Sequence, residues 1–199
     1  MLRIENKYSI TRDRKVDFFK WLSENNIKTL FPSRNTYSIY FDNSNYDIYT
    51  NSIEGCVPRK KIRLRTYKKY SNQIKNYTLE IKETNFTFRS KKTFKNFSSN
   101  ILSNGYFDNI YGICYPKIVV SYERSYFLYN SHRITFDENI KYSEYNFFSK
   151  NLIFLSTNEV IFEVKNNDIY KNNEIEKLFP FAKTRFSKYT NGIENLSLC

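Results

Sequence analysis

Charged residues alternate with apolar residues in four segments of this chain. A Glu-x-Lys pair occurs in RIENKYSI, in YTLEIKE and in VIFEVKN, and PRKKIRLRTY places a basic residue or a tyrosine at every second position from Arg59 to Tyr67. Successive side chains of a β-strand point to opposite faces, so this spacing puts the charges on one face and Ile62 and Leu64 on the other. The pattern predicts strands in a sheet with one strongly basic face.

The composition also favours strands. The 199 residues include 18 Phe and 18 Tyr but only 4 Gly and 4 Pro, and aromatic and β-branched residues are enriched in strands. The length suits one domain, which we predict to span residues 1–199. The turn predicted in KYSNQIKNY would make Arg63 and Arg65 cross-strand neighbours of Glu80 and Lys82.

The segment TRDRKVDFFKWLSENN predicts an amphipathic helix after the first strand. We expect Thr11 or Asp13 as its cap. Val16, Phe19 and Leu22 would form its apolar stripe.

Three further short helices are predicted. One follows a basic stretch in FRSKK and ends at Gly105, because glycine favours the end of a helix. The other two lie in NNEIEKLF and SKYTNGIENL, where Asn173 and Ser187 are placed as caps. Lys68 and Lys69 are expected in a solvated hairpin.

Other residues have ordinary interpretations. Trp21 is expected in the core, and Asp47 in a structural turn. His132, the only histidine, is expected in a solvated turn, and no Ser/His/Asp set can be assembled around it.

The net charge of +12 predicts a polyanionic partner, such as nucleic acid, polyphosphate, nucleotides or an anionic membrane. The segment MLRIENKY has no apolar core like that of a signal peptide, and no run approaches the ~18 apolar residues needed to span a bilayer. Cys56, Cys114 and Cys199 lack the spacing of a metal or redox pair and predict free thiols. We expect a cytoplasmic protein that does not span a membrane.

A single Glu-x-Lys pair would ordinarily lie on the solvated face of a sheet, and about one or two pairs are expected by chance. Polar residues also occur at every second position in two further segments, while the opposite faces of the strands are apolar. These residues are Tyr122 and Arg124 in one segment and Arg133, Thr135 and Asp137 in the other. This coincidence favours an enclosed basic face. If the strands close into a barrel with that face inward, the bore would hold a chain of phosphates beside a divalent cation.

The ordered set of segments resembles the VTC domain of polyphosphate polymerases, within the triphosphate tunnel metalloenzyme (CYTH-like) superfamily. The matching segments run in family order from Arg3 to Ile193: RIENKY, SIYFDNSNYDIY, RKKIRLRTY, LEIKE, VSYERSYF, RITFD, FEVK and FSKYTNGI. The resemblance implies a sheet-dominated α+β fold. It also implies a closed, antiparallel, eight-stranded β-barrel with a few flanking short helices, whose polar bore binds triphosphate or polyphosphate.

The resemblance also implies site residues. The residues expected to bind phosphate and to act in catalysis are Lys7, Arg63, Arg65, Lys82, Arg124, Lys165 and Lys188. Further phosphate contacts are expected from Arg133, Tyr122 and Ser187, and from a basic pair at a spacing unusual for the family, Arg89 and Lys91. Glu163 is the expected ligand of Mn²⁺ or Mg²⁺, with Glu5 and Glu80 as helpers.

These residue types suit phosphoryl transfer, which depends on positioning and on neutralising phosphate oxygens. Arginine binds phosphate through a bidentate fork, lysine supplies a point charge, and a carboxylate supplies the oxygen that Mg²⁺ or Mn²⁺ prefers. The leading hypothesis is a polyphosphate polymerase that moves the γ-phosphoryl group of ATP onto a growing polyphosphate chain. Its partners would be ATP and polyphosphate, and a separate membrane partner is an open alternative.

Two other functions remain in view. A tripolyphosphatase or nucleoside triphosphatase would use the same tunnel with water as the nucleophile. A non-enzymatic module could bind polyanions such as RNA or polyphosphate. Nucleic acid is not the expected ligand, because the basic strand contains one aromatic residue, Tyr67, and no RNP-like pattern occurs.

Overall fold

The computed structural model describes residues 4–68, 76–130, 132–149, 152–166 and 180–199. The helix predicted in NNEIEKLF, with Asn173 as its cap, lies outside the described residues. So do Lys69 and most of the turn predicted in KYSNQIKNY.

The described residues are dominated by strands. Ten strands occur among them: β1 (Ile4–Thr11), β2 (Lys28–Asp42), β3 (Arg59–Thr66), β4 (Asn76–Thr84), β5 (Arg89–Ser98), β6 (Tyr106–Asp108), β7 (Gly112–Tyr129), β8 (His132–Glu144), β9 (Leu155–Ser156) and β10 (Glu159–Asn166). The α-helices of the same residues are α1 (Lys15–Glu24), α2 (Asp47–Glu54), α3 (Ile101–Asn104) and α4 (Lys188–Asn195), and a 3-10 turn covers Arg12–Arg14.

The strands pair in the order β1-β10-β8-β7-β2-β3-β4-β5, with β6 on β7 and β9 on β8. The registers of β1 with β10, β10 with β8, and β2 through β5 are antiparallel. A sheet-dominated α+β fold with few helices is therefore confirmed. Over the residues described, the path is open and ends at β1 and β5, so closure into a barrel is not confirmed.

The chain forms two compact units, each built from three segments. The first unit contains Met1–Arg34, Tyr122–Ile140 and Ser156–Phe186. The second unit contains Asn35–Ser121, Lys141–Leu155 and Ser187–Cys199. The prediction of a single domain stays a prediction.

The core of the first unit lies between α1 and the β1-β10-β8 strands. Phe18 is fully buried, and its ring centroid is 4.7 Å from that of Phe136 and 4.9 Å from that of Phe162. Trp21 and Leu22 are buried beside it, three and four residues further along the helix, which is the spacing of one helical face. The prediction that Trp21 belongs to the core is confirmed.

The predicted start and stripe of α1 need correction. The 3-10 turn precedes the helix, which begins at Lys15, and Thr11 makes no side-chain capping hydrogen bond. Val16 is 72% exposed and Phe19 is 39% exposed, so the buried stripe is centred on Phe18 instead.

The second unit contains the predicted basic strand. Arg63 of β3 lies opposite Glu80 of β4, so the predicted cross-strand neighbours are confirmed. The other face of the two strands is a buried apolar layer made by Ile62, Leu64, Leu79 and Ile81. The register continues from Arg63 to Tyr40 on β2 and from Glu80 to Thr93 on β5.

Two elements of the second unit differ from the sequence predictions. Asp47, predicted in a turn, is the first residue of α2, whose backbone N–H groups at Ile48 and Tyr49 donate to the Asp42 carboxylate. The basic stretch before the third helix is strand β5. The short helix α3 does end at Gly105, where φ is +77°.

The helix α4 begins where the sequence predicts. Ser187 is its N-cap, and its hydroxyl oxygen accepts a hydrogen bond from the Thr190 N–H at 3.4 Å. The helix packs closely at Gly192, where a Cβ atom would lie 2.5 Å from Ile118 Cδ1 and 2.9 Å from Tyr142 Cδ1.

The prediction for His132 needs correction. It is 3% exposed at the start of β8, whereas the sequence predicts a solvated turn. The strand begins at the histidine itself, so its side chain joins the packed face. Within the described ranges, no helix has the length and apolar character needed to cross a membrane.

Candidate functional site

A cluster of one carboxylate and three cations lies on the charged face of the second unit. Arg63 donates to Glu80 Oε2 through Nε at 2.7 Å, and its Nη2 lies 2.5 Å from the same oxygen. Arg65 Nη1 is 3.3 Å from this oxygen, and Lys91 Nζ contacts Glu80 Oε1. Strands β3, β4 and β5 supply these residues through their antiparallel register.

This cluster does not lie on a water-facing sheet surface. The side chains of Arg63, Arg65 and Glu80 are 13%, 8% and 5% exposed. Burial alone would raise the pKa of Glu80, but the charges of Arg63 and Arg65, with the hydrogen bond from Lys91, lower that pKa to about 2. Three cations against one ionised carboxylate leave an excess of positive charge, which suits an anionic ligand.

Arg63 is also held from β2. Its Nη1 donates to the Tyr40 hydroxyl at 2.8 Å, and its guanidinium lies 5.7 Å from the centroid of the same ring. The Tyr40 ring stacks on Tyr189 of α4, with centroids 5.4 Å apart and planes 21° apart. Tyr189 in turn donates its hydroxyl hydrogen to the buried Asp42 carboxylate. Burial raises the pKa of Asp42, although the hydrogen bonds it accepts oppose that shift.

Other predicted residues of this unit lie along the same face. Lys82 lies opposite Lys61 on β3 and opposite Lys91 on β5. Arg89 follows two residues from Lys91, opposite Thr84. Both members of the basic pair with unusual spacing are therefore on the strand face that carries Glu80 and Lys82. Burial lowers the pKa of Lys91, partly offset by its bond to Glu80.

The start of α4 is tied to β3. Lys61 Nζ donates to Ser187 Oγ at 2.7 Å, and Lys188 follows as the first residue of the helix. Lys61 belongs to the alternating segment, but sequence reasoning gave it no role.

The first unit carries a second set of predicted residues. Arg124 of β7 forms a fork with Asp137 of β8, with Nε and Nη2 donating to the two carboxylate oxygens at 2.5 Å and 2.7 Å. Burial opposes the charge of Arg124, but Asp137 outweighs this effect and raises the pKa of the guanidinium. The Arg124 guanidinium lies 5.2 Å from the centroid of the Tyr122 ring.

The remaining predicted residues of the first unit lie on β1, β10 and β8. In the strand register, Lys7 lies opposite Glu163. Lys165 lies opposite Glu5 on one neighbouring strand and opposite Arg133 on the other. Lys165 Nζ lies 2.7 Å from Glu163 Oε1 and 3.3 Å from Glu5 Oε1, while Lys7 Nζ donates to the Phe186 carbonyl at 2.7 Å.

Two carboxylates of this unit are of the chemical type that binds a divalent cation, and both contact Lys165. Glu163 and Glu5 approach each other through the shared Lys165, and their oxygens are hard ligands of the type that Mg²⁺ and Mn²⁺ take. No group of three or more potential ligand residues occurs in the part of the chain that the structure describes.

Sequence reasoning missed Tyr40, Asp42 and Tyr189. A signal was present, because Ser38, Tyr40 and Asp42 alternate with apolar residues along β2 just as the charges do along β3. The alternating residues carry two hydroxyls and one carboxylate, so a search for basic residues alone does not find them.

Each unit is built on antiparallel strands and carries basic and acidic side chains paired on one strand face. The VTC domain family model matches residues 2–105 and 105–197. The chain therefore belongs to the VTC domain family. No curated protein matches the chain.

Solved structures share the fold at low sequence identity. A candidate adenylate cyclase from Bacillus halodurans matches with a TM-score of 0.61 and 12% identity, over 98% of this chain and 96% of that one. One from Vibrio parahaemolyticus matches with a TM-score of 0.58 and 13% identity, over 99% and 98%. A candidate adenylyl cyclase from Hippeastrum, described as having a dominant triphosphatase activity, matches with a TM-score of 0.59 and 11% identity, over 98% and 96%.

Proposed function

We propose that this protein is a metal-dependent polyphosphate polymerase that transfers the γ-phosphoryl group of ATP to a growing polyphosphate chain. The observation that carries the proposal is the excess of cations around the buried Glu80, where the largely buried Arg63 and Arg65 and the part-exposed Lys91 meet one carboxylate. Membership of the VTC domain family supports this substrate class. The proposal includes the closed eight-stranded barrel that the family implies, and a cytoplasmic location.

The basic residues would bind and orient phosphates. In the second unit, Arg63 and Arg65 would contact phosphate oxygens through their guanidinium groups, and the other cations would supply point charges: Lys82, Lys91, Arg89 and Lys188. In the first unit the same task would fall to Lys7, Arg124, Arg133 and Lys165. Tyr122 and Ser187 would add hydrogen bonds. Such groups hold donor and acceptor phosphates in line and neutralise the charge on their oxygens.

Glu163 and Glu5 would hold the divalent cation. When bound, the cation would neutralise phosphate oxygens during transfer. The side chain of Lys165 lies against both carboxylates, so it would also keep them close together.

The test is the product made from ATP. With ATP and Mn²⁺, we expect long polyphosphate chains on gels, an increase in rate when short polyphosphate primers are added, and no product after chelation of the metal. If gels show only ADP and free phosphate under all primer and metal conditions, the protein is not a polymerase.

Glu163→Gln tests the metal assignment. The substitution keeps size and removes the charge that would hold the cation, so turnover should be lost while metal-free binding of tripolyphosphate persists. Glu123→Gln is the matched control, because Glu123 lies in the same unit and accepts a hydrogen bond from Ser33 at an exposed position. Equal activity of Glu163→Gln and wild type would remove Glu163 from the metal site.

A triphosphatase is the second candidate. It is favoured by the structural neighbour from Hippeastrum, whose description names a dominant triphosphatase activity. The same cations would bind the substrate, and water would replace the acceptor phosphate. Release of phosphate from tripolyphosphate, with no chain growth from ATP, would establish this function instead.

A further inference from the structure

The guanidinium of Arg63 is held on two sides by groups that are not phosphate ligands. Along one edge of the guanidinium, Glu80 Oε2 lies 2.7 Å from Nε and 2.5 Å from Nη2. The Tyr40 hydroxyl accepts from Nη1 at 2.8 Å. A guanidinium fixed by bonds to two different strands has one orientation rather than several.

The contacts of Glu80 are those of an orienting group. The family resemblance places Glu80 among the helpers of the metal, yet its Oε2 accepts from Arg63 and lies 3.3 Å from Arg65, and its Oε1 contacts Lys91. A carboxylate already in contact with three cations is a poor ligand for a further divalent cation, because the three cations would repel it.

Tyr40 is itself fixed. Its ring is 5% exposed and stacks on Tyr189, and the Tyr189 hydroxyl is anchored on the buried Asp42. The hydroxyl that meets Arg63 is therefore positioned by packing before any ligand arrives.

We propose that Glu80 and Tyr40 are positioning residues that orient Arg63 for phosphate, and that Glu80 does not hold the metal. The inference rests on the proposed function, because it assumes that Arg63 binds phosphate. Bidentate binding by arginine requires a fixed plane, and a guanidinium ordered in advance loses less conformational freedom on binding.

Two substitutions and two matched controls test the inference. Tyr40→Phe removes only the hydroxyl, and Glu80→Gln removes only the charge. Tyr37→Phe and Glu83→Gln remove the same groups from the same strands. Both control residues occupy strand positions that alternate with those of Tyr40 and Glu80. In the register, Tyr37 lies opposite Thr66 and Glu83 lies opposite Lys60.

The first measurement is binding of tripolyphosphate without metal, by calorimetry. We expect Tyr40→Phe and Glu80→Gln to bind about tenfold more weakly than wild type, because an oriented, charge-assisted bond to phosphate is lost, while both controls bind as wild type does. The second measurement is the Mn²⁺ concentration that gives half-maximal turnover of saturating ATP. Both variants should keep the wild-type midpoint.

Several outcomes would overturn the inference. A higher Mn²⁺ midpoint for Glu80→Gln with unchanged metal-free binding would make Glu80 a metal ligand. Tighter binding by Glu80→Gln would mean that Glu80 only repels phosphate. A lower melting temperature of Tyr40→Phe with unchanged binding would leave Tyr40 a purely structural role. If Glu80→Gln does not fold, Tyr40→Phe decides the question alone, since it keeps every charge.

Failure of the wild type to bind tripolyphosphate would overturn the proposed function and the inference with it. Wild-type binding that neither variant weakens would overturn the inference only.

Discussion

At the scale of single residues, the charged face is organised by pairing rather than by exposure. Glu80 shares its two oxygens among Arg63, Arg65 and Lys91, and Asp137 takes both donors of the Arg124 fork. Each carboxylate lowers the cost of burying cations at a place where a ligand would otherwise be needed to neutralise them.

The pairing of Glu80 predicts a dependence of stability on pH. Its pKa is about 2 in the folded protein against an ordinary 4.5, so the ionised carboxylate stabilises the fold above pH 4.5. This contribution is lost as the pH falls from 4.5 towards 2. Screening by water holds it to about 2 kcal/mol.

Urea unfolding of wild type and Glu80→Gln at a series of pH values measures this contribution. The free energy of unfolding of wild type should fall through this range more steeply than that of the variant. Parallel pH profiles would contradict the assignment of the lowered pKa to Glu80.

The residues of the charged face were predictable because the period of a strand is two. The alternation in RKKIRLRT predicts which side chains share a face with Glu80, and the register confirms it. The side-chain partners were not predictable, because pairing depends on register between strands that the sequence does not state. Tyr40 and Asp42 are examples, since their roles come from Arg63 and Tyr189, which are far away in the chain.

At the scale of elements, the sequence predicts those with a regular pattern and misses those without one. The helix α4 has a capping serine and begins as predicted. Strand β5 was missed because nearly all its side chains are exposed, so no apolar alternation marks it. Helix α2 was missed because its N-cap residue, Tyr46, makes no side-chain capping hydrogen bond. The carboxylate that accepts from the first N–H groups belongs to Asp42, five residues before the helix and beyond the usual spacing of a capping motif.

The close packing of α4 gives a prediction about Gly192. Alanine favours a helix over glycine by about 1 kcal/mol, but its Cβ would lie 2.5 Å from Ile118 Cδ1 and 2.9 Å from Tyr142 Cδ1. Because overpacking of a core costs about 1–3 kcal/mol and the gain in helix propensity offsets about 1 kcal/mol of it, Gly192→Ala should lower the free energy of unfolding by up to about 2 kcal/mol.

Thermal and urea unfolding of Gly192→Ala would measure this loss. Glu194→Ala, at an exposed position of the same helix, is the control and should change stability by less than about 0.5 kcal/mol. A more stable Gly192→Ala protein would show that helix propensity outweighs the contact.

At the scale of the whole molecule, the net charge of +12 is larger than the buried clusters alone require. Surface cations would raise the local concentration of a polyanion and speed its association. A long chain would meet more of them than a short one does.

We therefore expect the affinity for long polyphosphate to fall more steeply with salt than the affinity for tripolyphosphate. Titrations between about 50 and 200 mM salt would measure both slopes, since the slope reports the number of phosphates neutralised. Equal slopes would confine binding to the buried cations.

Binding of single-stranded RNA tests the non-enzymatic alternative. Salt-dependent binding of this RNA, without any affinity for tripolyphosphate, would favour a polyanion-binding module in place of an enzyme.

The division of both units into three segments also constrains how the chain reaches its native state. In the first unit, β1 cannot pair before Glu159–Asn166 are present, and in the second, Tyr40 cannot stack before Tyr189 is present. During synthesis, neither unit can therefore be completed until its third segment has left the ribosome. Contacts between such distant segments form slowly, so exposed strands must remain in solution longer than they would in a protein built from consecutive hairpins.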